Sequence, residues 1–370
     1  MLLLVLLAAC TPEPVERHDT LPLAEEIALA GLVRWDGDWS FDWIPTVWAY
    51  GLYRLHAVSG EDAWREPYRA WIVDGAAPYA ADPPRGFQGS DSMSPAILAS
   101  ALLGEGVAEA EPIVAAGHRW IDEAPRTDEG AIEHWGENAP FGVPGQVWVD
   151  SQFMVGMFLL SEHARTDEDA PLDEFLAQYA LFSDLLRDPA TDLYRHAYDD
   201  ATDANIPVEP TFWARGNSWV LVSAAEALTL DADLDVREDF VAQARAVAAL
   251  QEDDGLWHTV LDEPMGDDPE NYTETSASAL IAYAFVKGVR AGVLDAEEFV
   301  PVVDRAVAGL RDRVDRDDEG APVVEGTSYG TVPGDYAYYV GVGRHDDLML
   351  GVGAIVMLFA EAQGFPQESP

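Results

Sequence analysis

About every 50–70 residues the chain returns to a helix-length stretch that is apolar or small almost all the way round. These stretches begin near residues 43, 93, 146, 212, 271 and 345. Ser276-Ala277-Ser278-Ala279-Leu280-Ile281-Ala282-Tyr283-Ala284 is one, and Leu348-Met349-Leu350-Gly351-Val352-Gly353-Ala354-Ile355-Val356 is another. A helix with no polar face has to be buried on every side. Between these stretches lie helices with a single charged face, such as Val236-Arg237-Glu238-Asp239-Phe240-Val241-Ala242-Gln243-Ala244-Arg245. Such helices belong between a core and water. The pattern predicts helices over 20–34, 43–57, 61–74, 93–104, 107–122, 146–165, 171–187, 212–229, 235–250, 271–291, 296–311 and 345–363. Alternating inner and outer helices pair into six hairpins. An inner ring inside an outer ring is an all-α (α/α)6 barrel. Loops rich in Gly, Pro, Asp and aromatics precede the inner helices and should gather at one mouth, where an active site belongs. A superhelical solenoid is the alternative, although solenoid repeats usually resemble one another more closely.

No long linker interrupts the chain after its first twenty or so residues, so one barrel domain is expected over 22–365. Acidic residues number 67 against 21 Lys and Arg, a formal charge of −46. A surface this negative repels phosphate backbones, which argues against nucleic acid as a partner. It suits a saline habitat, where salt screens self-repulsion. An anionic substrate would need a local cationic pocket. Cys10 is the single cysteine, which excludes an intramolecular disulfide and cysteine nucleophilic chemistry in the barrel. It closes an apolar run ending Leu7-Ala8-Ala9-Cys10, which is similar to a bacterial lipobox. The expectation is a signal peptide over 1–9, lipidation at Cys10, and an anchored tether over 10–21. The protein would then be exported and touch the membrane only through its lipid.

Polar residues that carry chemistry cluster where inner helices begin. Asp150 lies in Trp148-Val149-Asp150-Ser151-Gln152-Phe153-Met154, where helical spacing puts it on the same face as Phe153, Met154 and Met157. An ionised carboxylate on an apolar face is costly unless it is paired. It is therefore either a structural Asp tied to a buried Arg or a helix end, or an acid or base tuned by its pocket. Asp91, in Gly89-Ser90-Asp91-Ser92-Met93-Ser94-Pro95, stands where an N-cap would. His134 and His196 sit in similar loops after outer helices. In Phe212-Trp213-Ala214-Arg215-Gly216-Asn217-Ser218-Trp219, Arg215 and Trp219 are one turn apart. Arg215 suits gripping a carboxylate through two parallel hydrogen bonds, or pairing with Asp150 or Asp91. Tyr338, in a Gly/Tyr-rich loop, either stacks on a sugar or caps the barrel. No metal is expected, because the His spacing lacks a helical ligand pair. No cofactor motif is present.

As an ordered set, these motifs resemble the unsaturated rhamnogalacturonyl hydrolases, glycoside hydrolase family 105, with the unsaturated glucuronyl hydrolases of family 88 as relatives. Further segments carrying the resemblance are Arg126 to His134, His196-Ala197-Tyr198-Asp199, Gly255-Leu256-Trp257-His258-Thr259-Val260-Leu261-Asp262 and Asn271-Tyr272-Thr273-Glu274-Thr275-Ser276-Ala277-Ser278. The match runs from about residue 25 to 362. It implies an (α/α)6 barrel that hydrates the C4=C5 double bond of the uronic acid terminating a lyase-generated oligosaccharide. Pectin-type or marine acidic polysaccharides would be the source. It implies Asp150 as the acid that protonates C4 and then the base for water at C5, with Asp91 assisting. His134, His196, Arg215, Trp219, Trp148 and Tyr338 would contact substrate. The family pattern has Gly-Trp where this chain has Ala197-Tyr198, and Gly at Ser218, departures that bear on substrate preference. The competing readings are a carbohydrate-binding lipoprotein without chemistry, and an epimerase or conventional glycosidase on the same barrel.

Overall fold

The computed structural model describes residues 17–82, 84–136, 143–262 and 270–366. Among them the inner ring consists of α2 (Trp43–Ser59), α5 (Ala96–Gly104), α8 (Gly156–Thr166), α10 (Ala214–Leu230), α12 (Thr275–Arg290) and α15 (Met349–Glu361). Each packs on the next, and α15 returns to α2. That closure makes a barrel and excludes the solenoid. The outer ring is α1 (Leu21–Trp35), α3 (Asp62–Gly75), α6 (Glu111–Glu123), α9 (Asp169–Leu186), α11 (Arg237–Ala248) and α13 (Ala296–Arg311). The first helix, α1, packs on the last, α15, so the two ends of the domain close against each other.

Small residues set the ring's tightest contact. A Cβ on Gly353 of α15 would lie 2.5 Å from Trp48 Cα of α2, and one on Gly51 would lie 2.6 Å from the Gly353 carbonyl. Real Cβ atoms do not approach backbone this closely, so the two helices touch main chain to main chain only because these positions are glycine.

Two inner helices differ from the expected segments. The 93–104 segment is split into α4 (Ser90–Met93) and α5 around Ser94-Pro95, because proline has no N–H to continue the ladder. The 146–165 segment begins instead as strand β1 (Gln146–Trp148), then forms α7 (Ser151–Met154), and resumes as α8 after Val155. β1 pairs antiparallel with β2 (Ala197–Asp199), which pairs with β3 (Ala204–Ile206). Short pairs β4 (Val314–Arg316) with β5 (Pro322–Val324), and β6 (Thr327–Ser328) with β7 (Arg344–His345), complete the loops. A further short helix, α14 (Tyr336–Gly341), precedes β7.

The distal end of the expected tether is part of the fold. His18 exchanges backbone hydrogen bonds with Gly364 and Phe365. The Thr20 hydroxyl is buried and donates to the Phe359 carbonyl at 2.6 Å. Cys10 and the signal-peptide segment lie outside the described residues. Among the described residues, no helix is long and apolar enough to cross a membrane.

Candidate active site

The loops entering successive inner helices are hydrogen-bonded into a strip around one mouth of the barrel. His134 N–H donates to the Gln146 carbonyl, Val149 to His196, Ala214 to Thr259, Glu274 to Trp257 and Thr275 to Gly326. This strip fixes where each polar side chain emerges, and it joins residues far apart in sequence.

Two serines and a histidine lock the two aspartates' helices together. His134 Nδ1 is 2.7 Å from Ser90 Oγ and 3.2 Å from Ser151 Oγ, and the Ser151 hydroxyl donates to Ser90 at 3.0 Å. Ser90 and Ser151 are the first residues of α4 and α7. Their chain neighbours, Asp91 and Asp150, are thereby held at the same mouth. Asp91 does not cap its helix. Gly89 occupies the N-cap, and the Ser92 hydroxyl serves the local backbone by accepting from the amides of Gln88 and Gly89. The Asp91 carboxylate, a quarter exposed, is left 3.5 Å from His134 Nε2.

Asp150 is the more deeply set of the two. Its Oδ2 is 3.1 Å from His196 Nε2, near enough to attract but without the alignment of a hydrogen bond, so both buried atoms lack a directed partner. Catalytic hydrogen bonds of this kind tighten around substrate. Burial pushes the Asp150 carboxyl up. His196, His134 and Arg215 more than offset this, leaving its pKa below the ordinary carboxylate range. Burial lowers the His196 imidazole, and Asp150 only partly opposes that. The resting pair is therefore an ionised Asp150 facing a neutral His196.

An aromatic cage holds both imidazoles. Trp148 stacks flat on His134 with centroids 4.3 Å apart and turns its edge to His196. Trp213 stacks on the other histidine, 4.3 Å from His196. Trp148 is nearly buried, so its main contacts are with these rings.

Two expected contacts, Arg215 and Trp219, are placed differently. Arg215 is 1% exposed, and its guanidinium is already engaged. It donates to the carbonyls of Ser328 at 3.1 Å and Tyr329 at 2.7 Å, and lies 4.8 Å above the Trp213 ring. Its ionic partner is Glu274, at 3.8 Å, and not Asp150 or Asp91. Arg215 thus holds the β6 loop over the site instead of offering a free fork to a carboxylate. Trp219 lies one turn deeper on α10. It is fully buried against Phe153 at 4.8 Å, so it belongs to the core beneath the site and does not line it. Tyr338 stays partly exposed at the rim, where its hydroxyl accepts from the Val332 amide. On the same rim β7 carries Arg344 and His345, both exposed, with the Arg344 guanidinium 4.7 Å above Tyr272.

Sequence reasoning did not single out Ser90, Ser151, Trp213, Glu274 or Tyr339. Glu274 had a detectable signal. It directly precedes an apolar helix, and its carboxylate accepts from the amides of Ser276 and Ala277 as an N-cap does. The hydroxyl of Tyr339 reaches His196 Nδ1 across 143 positions of sequence, which no local pattern reveals. Among the described residues, no group of three or more His, Cys, Asp or Glu is arranged to hold a metal ion.

The closed (α/α)6 barrel thus carries two carboxylates and two caged imidazoles at its mouth, a set suited to acid–base catalysis. The chain matches Glycosyl Hydrolase Family 88 over residues 26–365. It belongs to that family and is a glycoside hydrolase. It is 27% identical over 300 residues to the unsaturated rhamnogalacturonyl hydrolase YesR of Bacillus subtilis, covering 79% of this chain and 81% of that protein. An unsaturated 3S-rhamnoglycuronyl hydrolase of Formosa agariphila is 35% identical over 111 residues, 27% of each chain. In fold, the chain superposes on a possible member of the GH105 family from Salmonella enterica with a TM-score of 0.80, at 23% identity and 98% coverage of both chains.

Proposed function

We propose that this enzyme removes the C4=C5-unsaturated uronic acid from the non-reducing end of lyase-generated oligosaccharides, with Asp150 as acid and then base. The observation that carries the reading is the Asp150 carboxylate itself. It is partly buried at the barrel mouth, with one buried oxygen that lacks an aligned partner and faces an imidazole 3.1 Å away. The names of the relatives from Bacillus subtilis and Formosa agariphila, both acting on unsaturated uronyl groups, support the substrate class.

The chemistry follows from the electronics of the substrate. The C4=C5 bond is an enol ether, so protonation at C4 leaves positive charge at C5 that the ring oxygen shares. Asp150 gives that proton. Its carboxylate then takes a proton from water as the water oxygen bonds to C5. The resulting hemiketal opens by breaking the bond from C5 to the ring oxygen, and the hemiacetal left at C1 expels the next sugar. The catalyst returns to its starting protonation, and no water attacks the anomeric carbon as in ordinary glycosidases. The resting Asp150 is ionised, so it has to gain a proton when substrate binds. The substrate's own C5 carboxylate supplies the reason, because a second negative charge nearby raises a carboxyl pKa.

Pectin-type fragments and marine acidic polysaccharide fragments are the candidate substrates. The test is the ultraviolet absorbance of the conjugated double bond in lyase products of pectin, ulvan and glycosaminoglycans. The signal should decay with enzyme for at least one class, and persistence in all of them would refute the reading. Export as a lipoprotein is part of the same proposal, motivated by Leu7-Ala8-Ala9-Cys10. Metabolic labelling with palmitate should mark the wild type and not Cys10→Ser. Equal labelling of both, or of neither, would contradict it.

A further inference from the structure

Tyr339 is fully buried, and its hydroxyl meets two groups of opposite demand. The Gly334 amide, 3.1 Å away, can only donate, so it occupies a lone pair on the phenol oxygen. The phenol hydrogen then needs an acceptor, and the one it meets is His196 Nδ1 at 2.7 Å. If Nδ1 accepts, the proton of the neutral ring sits on Nε2, which faces Asp150 Oδ2 at 3.1 Å. The other tautomer would aim a lone pair at a carboxylate and leave the buried phenol hydrogen without an acceptor, both unfavourable.

We propose that Tyr339 is a positioning residue that fixes His196 in its Nε2–H tautomer, so that the imidazole turns an N–H, and not a lone pair, toward Asp150. The proposal rests on Asp150 being the acid and base. It assigns the proton that reaches C4 to Asp150 alone, with His196 neutral before and after, steadying the carboxylate when it serves as base. Protonating Nδ1 would cost the phenol its acceptor, which opposes formation of an imidazolium. Burial lowers the His196 pKa in the same sense. The other ionisable groups around His196 are His134 and Arg215, and Tyr339 has Tyr338 and Asp335 beside it. The geometry is built for the purpose. Asp335 caps α14 by accepting from the Tyr338 amide at 2.9 Å, and any side chain at Gly334 would collide with the Tyr338 ring. The chain therefore turns back on its own helix and delivers the Gly334 N–H to the Tyr339 oxygen.

The experiment is long-range proton–nitrogen NMR on the whole protein with labelled histidine. In the wild type, His196 should show an N–H-type Nε2 and a pyridine-type Nδ1 at neutral pH. In Tyr339→Phe the preference should collapse toward mixed tautomers while the other histidine signals stay in place. Turnover should fall about ten-fold in kcat with KM nearly unchanged, the effect of one lost hydrogen bond to a buried group. A wild-type Nδ1–H tautomer would overturn the proposal, whether or not the variant folds. So would an unchanged His196 spectrum in Tyr339→Phe. The wild-type spectrum needs no substrate, so it decides the tautomer even if the double-bond reading fails.

Discussion

Arg215 offers the sharpest test of how the site is built. Replacing it with Met keeps much of the volume and removes the charge. The structure sets the magnitude. The buried Ser328 carbonyl and the part-buried carbonyl of Tyr329 lose donors at 3.1 and 2.7 Å, each worth about 1–2 kcal/mol when left unsatisfied. The contact over Trp213 adds roughly 1 kcal/mol. Glu274 loses a distant ionic partner but keeps the amides of Ser276, Ala277 and Ser328. Relief of the guanidinium's desolvation offsets part of the loss. The net expectation is about 2–4 kcal/mol, overlapping the usual cost of breaking a buried charged pair from one side. Urea titration followed by tryptophan fluorescence measures it as a lower midpoint at constant slope. A guanidinium that instead gripped the substrate carboxylate would behave otherwise: Arg215→Met would keep its stability and raise KM many-fold. A loss below about 1 kcal/mol with that kinetic pattern would refute the structural role.

Three further outcomes follow. Gly353→Ala should cost about 2–3 kcal/mol by overpacking α15 on α2, whereas Gly86→Ala, with open space around it, should be neutral; equal midpoints would contradict the close approach. Glu162 and Glu361 are both depressed from 4.5 to about 2 against burial, Glu162 chiefly by Arg165 and His118 and Glu361 chiefly by Arg54 and Lys287. A carboxylate with a lowered folded pKa stabilises above its unfolded value and loses that contribution as pH falls. Stability should therefore decline from about pH 4.5 toward pH 2, by roughly 3 kcal/mol per residue. Glu361→Gln should flatten the decline, and an unchanged slope would count against the pairing. Calorimetric titration with a non-hydrolysed substrate analogue, in buffers of different ionisation enthalpy, should show uptake of about one proton. Asp150→Asn should show none, and proton-neutral binding in the wild type would contradict an ionised resting Asp150.

The barrel was legible because burial on all sides leaves a compositional mark. Ala279 to Ala284 and Gly351 to Val356 carry no polar face, so their neighbours had to be other helices. What periodicity could not show was non-local pairing. Gln146-Val147-Trp148 reads as the start of a helix but forms a strand, because Ala197 to Asp199 offers an edge to pair with. Asp150, Asp91, His134 and His196 were visible as polar residues at helix mouths, and the structure gathers them. The fates of Arg215 and Trp219 were not visible. A one-turn spacing puts two side chains on one face, but whether that face meets solvent depends on the β6 loop and on Phe153, which arrive from elsewhere in the chain. Tyr339 was hidden for the same reason, since it acts on a residue 143 positions away.

The central claim is that Asp150 protonates C4 of an unsaturated uronyl group and then activates water for C5. The most direct measurement follows a lyase-generated disaccharide in heavy water by proton NMR, with wild type and Asp150→Asn side by side. The wild type should erase the vinyl C4 proton, place one deuterium at C4 from a single face, and release the neighbouring sugar in step. Asp150→Asn, folded as judged by its melting curve, should leave the vinyl proton intact. Release of the sugar with the double bond preserved would contradict the account, as would turnover by Asp150→Asn at a rate near that of the wild type.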